Sequence, residues 1–148
     1  MSELYDELKA DIKDAMKARD TDRLATLRML HSSIKNKSID VGGDMSDDDV
    51  ISVLAQEAKK RRESAEAFDD GDRPELAQKE RDELAIIKEY LPEPLSDQEA
   101  ADLVDQVIEQ TGAEDRSDMG KVMGAVVPQI KGRYDATDIK DIVLDKLG

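Results

Sequence analysis

The chain has 148 residues, 36 acidic and 22 basic side chains, a net charge of −14, one His and no Cys or Trp. That length suits one large domain or two small ones, and the missing Cys excludes disulfides, a thiolate nucleophile and Cys-ligated metal. The acidic balance opposes non-specific attraction to phosphate, so DNA binding is not expected, and a nucleic-acid role would have to come from local basic patches.

The acid is spread evenly. Residues 1–92 carry 23 acids and 16 bases and residues 93–148 carry 13 and 6, so each part sums to −7. No apolar run approaches the roughly 18 residues a membrane span needs. The opening MSELYDELKAD is charged from its start, unlike a signal peptide, and the expected compartment is the cytoplasm.

Read in chain order, the spacing of apolar residues predicts helices throughout and no strand, an all-α fold. Leu8, Ile12, Ala15 and Met16 share a face of a first helix over about Glu3 to Ala18. Leu24, Leu27, Leu30 and Ile34 do so in a second, from Thr21 to about Lys37, and DVGGD then reads as a turn. Ser46 and Asp49 look like the cap and first-turn acid of a third helix reaching about Phe68, with Val50, Val53, Leu54 and Ala58 inward. Asp72 and Glu75 have capping-box spacing, with Pro74 in the first turn of a fourth helix carrying Leu76, Leu84, Ile87 and Leu91.

YLPEPLSDQE follows, and two prolines in three residues make a stiff, extended connector. The expected organisation is therefore a four-helix N-terminal domain, 1–92, and a small three-helix tail domain, 93–148. Ser96 and Glu99 form a second box at the head of a fifth helix, which Gly112 closes. The sixth helix lies in SDMGKVMGAVVPQIKGRYD, and Asp135 and Asp138 open the seventh.

The sixth helix poses the question of function. Met119, Val122, Met123, Val126, Val127 and Ile130 recur at helical spacing, yet the same segment carries Gly120, Gly124 and Pro128. An interior Gly costs roughly 1 kcal/mol against Ala. Pro128 pushes on the carbonyl of residue 124, so Gly124 and Pro128 read together as a kink. Gly120 leaves the ridge bare, open to close approach by another backbone, either a helix, as in packing inside the domain, or a polynucleotide phosphate. Lys121 and Lys131 flank the ridge, and Gly132 and Arg133 follow it.

MGKVMGAVVPQIKGRYDATDIKDIV resembles the C-terminal segment of the YqeY-like family, matching its pattern at Met119–Gly124, Pro128, Lys131–Gly132 and Asp135–Ala136. YLPEPLSDQE is similar to that family's interdomain junction, and EAKKRRESAEAF to its N-terminal half. The family shares a helical tail with the GatB subunit of glutamine-dependent tRNA amidotransferases. The resemblance implies a non-catalytic accessory module with tRNA, or a protein of the translation machinery, as partner. The rival expectation is a helical protein–protein adaptor. A third follows the label attached to the family, a carbon–nitrogen ligase with glutamine as amido donor.

Other candidates are weaker. Lys59, Lys60, Arg61 and Arg62 form the densest basic run. Four consecutive helical residues point around the whole circumference, and Glu57–Arg61 and Arg62–Glu66 suit intrahelical ion pairs. The run is thus either a solvated face or part of a phosphate-tracking surface. His31 lies at the apolar edge of its helix and reads as a packing residue. Asp44–Val50 lacks the Gly turn and distal Glu of a calcium loop. No catalytic residue, metal ligand or cofactor site is expected.

Overall fold

The computed structural model describes residues 2–148. All regular structure among them is helical: α1 (Glu3–Ala18), α2 (Thr21–Val41), α3 (Asp47–Asp70), α4 (Pro74–Lys88), α5 (Asp97–Thr111), α6 (Met119–Ile130) and α7 (Ala136–Leu147), with a 3₁₀ turn at Arg116–Asp118 before α6. The chain divides into two compact units, Met1–Leu91 and Pro92–Gly148.

In the first unit, apolar residues three and four apart bring Leu8, Leu27, Leu30, Ile34, Val50, Leu54 and Ile87 to near-complete burial. Each such side chain contributes roughly 2 kcal/mol of transfer free energy. Local chemistry sets the helix ends. Ser46 caps α3 in a full box with Asp49. Asp47 reaches back to α1, accepting from the Ser2 hydroxyl and, at 3.2 Å, from the Leu4 N–H. Those two bonds hold its carboxyl below the usual range.

Two expectations need correction here. α2 does not stop at Lys37 but runs through Asp40 to Val41, where Gly42 caps it in the left-handed conformation (φ 74°). The Gly pair ends the helix without unwinding the residues before it, and the extra turn leaves Ile39 and Val41 exposed. The capping box at Asp72 does not form. Asp72 itself takes a positive φ of 59°, which removes it from the cap position, and Arg73 stands there with no side-chain hydrogen bond.

The second unit closes Ala100, Val104 and Val107 of α5, Val122, Val126 and Ile130 of α6, and Ile139 and Val143 of α7 into one core. Ser96 and Glu99 form the box that opens α5, and Gly112 ends it at φ 69°. Asp135 caps α7 through the Thr137 N–H at 2.8 Å.

Candidate functional site

α6 is built as a one-sided helix. Val122, Val126 and Ile130 are buried to the last few per cent. Gly120, Lys121, Gly124, Val127 and Pro128 fall on the opposite side by the helical period and are exposed. A β-carbon added at Gly120 or at Gly124 would meet nothing within 4 Å. This decides one of the alternatives left by the sequence: the bare ridge does not seat a neighbouring helix of its own unit.

The cations around the ridge differ in what they do. Lys121 lies 3.9 Å from Asp118 and remains 56% exposed, a loose surface pair. Lys131 follows the last helical residue, exposed and with an extended backbone. Gly132 turns the chain at φ 74°, a conformation suited to glycine. Arg133 is committed inward. Its N–H donates to the Ile130 carbonyl at 2.7 Å, its carbonyl accepts from the Leu95 N–H at 2.9 Å, and its Nε donates to the Glu93 carbonyl at 2.9 Å. Tyr134 joins it, donating to Asp97 at 2.7 Å, which with partial burial pushes its phenol up to about 12. The turn after α6 thus ties down the connector at Glu93–Asp97.

The basic run in α3 belongs to the other unit and is split by its own helix. Arg61 is corrected from a surface cation to a buried one, 6% exposed. It pairs with Glu57, donates to the Met29 sulfur at 2.8 Å, and holds its Nε 3.4 Å from Glu83 without a well-formed hydrogen bond. Glu57 also accepts from Ser33 at 3.1 Å and has Lys60 at 3.7 Å. Burying an arginine demands this density of acceptors. Lys59 is half-buried, and Lys60 and Arg62 face water.

His31 stacks on Tyr5 with centroids 5.2 Å apart, its Nε2 3.0 Å from the tyrosine hydroxyl. Burial, then Lys35 and Lys9, lower its pKa. Tyr90, 6% exposed, bonds Asp11 at 2.5 Å from 79 residues away. Neither this pair nor Tyr134–Asp97 could be read from the sequence, because no periodicity links residues so far apart. Among the described residues no helix is long and apolar enough to cross a membrane.

The fold and the exposed glycine face define a class: an all-helical protein whose tail presents a small-residue helix to solvent. Within that class the chain belongs to the YqeY-like family, described as "Yqey-like protein", which it matches over residues 5–147. Similar proteins include "Altered inheritance of mitochondria protein 41, mitochondrial" of Pyrenophora tritici-repentis, 30% identical over 143 residues, covering 92% of this chain and 78% of the relative. The protein of that name from Clavispora lusitaniae is 34% identical over 129 residues, 86% of this chain and 74% of its own. That of Saccharomyces cerevisiae (strain YJM789) is 31% identical over 126 residues, 80% and 68%.

These names overturn the cytoplasmic expectation: the relatives are called mitochondrial. The expectation rested on a charged opening and the lack of an apolar span, and neither property distinguishes one aqueous compartment from another.

Proposed function

We propose that the protein is a non-catalytic accessory module of translation that receives tRNA along the outward face of α6. One observation carries the reading. Gly120, in the first turn of α6, and Gly124, in its interior, sit in open space on an exposed helix face, where their cost to the helix is repaid by no packing. A bare face lets a phosphate backbone come within reach of main chain, and Lys121 and Lys131 stand on either side to meet it. Gly132 lets the chain turn tightly beside that face. Arg133 contributes what its Nε leaves over, and the exposed Lys60 and Arg62, with Lys59, form a separate and weaker basic surface on the other unit. The family's resemblance to the tRNA-associated GatB tail supports the same choice.

The adaptor reading has its own support in Val127, 36% exposed on the same face, and in a net charge of −14 that weakens any RNA affinity. Titration of tRNA and of an unstructured RNA of equal length, at low salt, separates the two. Under the RNA reading tRNA is preferred. Lys121→Ala with Lys131→Ala then weakens binding and flattens its salt dependence by roughly 0.7 to 0.9 in log–log slope for each lost phosphate contact. Arg133 is left intact in this test because of its ties to Glu93 and Leu95. Equal, negligible binding of both RNAs, unchanged in the double variant, would give the site to a protein partner.

A further inference from the structure

The tail carries a second surface of opposite character. An open groove runs between α5 and the end of α6, with Leu95 and Leu103 on its floor, Glu99, Asp102 and Gln106 along the α5 rim, and Gln129 and Arg133 across from them. The floor leucines are half-buried against the core. Both acids are held in place. Glu99 accepts from the Ser96 N–H at 3.2 Å, which lowers its pKa, and Asp102 accepts from Gln98 at 2.9 Å. Gln129 donates to the Ala125 carbonyl at 3.0 Å, which leaves its amide oxygen free to accept. Arg133 spends its Nε on Glu93 and keeps its two terminal nitrogens.

Glu99 and Asp102 outnumber Arg133, whose charge already acts on Glu99, so phosphate is disfavoured within the groove although Arg133 borders both surfaces. The groove's chemistry asks for apolar side chains on the floor, cations opposite Glu99 and Asp102, and an acceptor for Arg133. Along α5 it runs from Glu99 to Gln106, roughly 10 Å at 1.5 Å per residue or about two helical turns, and Leu95 extends it from the connector before the helix. We propose that the α5–α6 groove docks a basic amphipathic helix of a partner protein, with its leucine-like face on Leu95 and Leu103 and its lysines or arginines against Glu99 and Asp102. The groove shares Arg133 with the tRNA face of α6, but Leu95, Leu103, Glu99 and Asp102, on which the proposal rests, have no part in that face.

The test uses the full chain, labelled for NMR, and a synthetic amphipathic Leu/Lys helix peptide as probe. A Ser/Lys peptide of equal charge serves as control, because any strongly acidic protein attracts cations. Amide shifts on adding the Leu/Lys peptide are expected to gather at Leu103, Gln106 and Gln129. Asp102→Lys is expected to weaken binding roughly fivefold to tenfold, as one exposed attraction becomes a repulsion. The same reversal at the exposed Asp145 of α7 should change it less than twofold, and the Ser/Lys peptide should bind more weakly than the Leu/Lys one. Should Asp102→Lys lose its helical circular dichroism, Gln106→Lys takes its place. No binding, shifts scattered over the acidic surface, equal effects of the two reversals, or equal binding of the two peptides would each overturn the proposal.

Discussion

Arg61 and Arg62 are neighbours in the sequence with opposite fates. The helical turn between them carries one into a pocket of Glu57, Glu83 and Met29 and leaves the other in water. Removing one partner of a buried pair strands the other charges, a loss of about 3 kcal/mol or more. Arg61→Ala is therefore expected to lower the unfolding free energy obtained from urea titration by that order, and Arg62→Ala to shift it by no more than about 0.5 kcal/mol. Equal effects would mean that Arg61 is not sequestered as described.

Tyr90 makes a pH-dependent contribution. Burial first, and then the bond to Asp11, raise its pKa above the ordinary value of 10.0. The folded chain thus holds the phenolic proton more tightly than the unfolded one. The stability it adds is complete below about pH 10 and fades as pH rises past that value. Tyr90→Phe should lose about 1 kcal/mol near neutrality for the missing hydrogen bond, and its melting temperature should approach that of the wild type above pH 10. A gap that stays constant from pH 7 to pH 11 would argue against the shift.

At the scale of elements, α6 is the helix whose sequence conflicts with its own stability. Gly120→Ala and Gly124→Ala should each stabilise the tail by up to roughly 1 kcal/mol, because the added methyl meets no neighbour and the unfolded chain loses freedom. Thermal melts check this, and destabilisation at either position would show that the ridge is packed after all. If both variants gain stability while losing their partner, the glycines are retained for function.

The helices themselves were legible because their signals are local: apolar residues three and four apart, Ser46 with Asp49, Ser96 with Glu99, Gly112 at a helix end. The failures were local as well. The spacing of Asp72 and Glu75 satisfies a capping box in sequence, but the end of α3 claims Asp72 first: its N–H bonds the Asp69 carbonyl at 3.1 Å and the Arg73 N–H bonds the Phe68 carbonyl at 2.7 Å, a closing turn with Asp72 at positive φ. Of the candidate site, the exposed ridge of α6 could be anticipated from its glycines. The Glu57–Arg61 pair could be anticipated from its spacing, but its burial could not, since Met29 and Glu83 lie on other segments, as does Glu93, the partner of the Arg133 side chain.

For the molecule as a whole, each unit has its own buried cluster. Residues 1–91 expressed alone are expected to melt cooperatively with helical circular dichroism. The 57 residues of Pro92–Gly148 lie near the size at which an unaided core becomes marginal, so that fragment should melt at a lower temperature. A non-cooperative 1–91 fragment would mean that the two parts complete one another's folding.

The ties from Arg133 and Tyr134 to Glu93, Leu95 and Asp97 also settle which unit owns the connector. A tail transplanted to another protein brings its tether with it, provided the cut falls before Glu93. Cut at Asp97, it would keep every helical residue and lose the Leu95 and Glu93 bonds that fix its leading end. The portable piece is therefore longer than its helices, and a host needs to supply only a chain end.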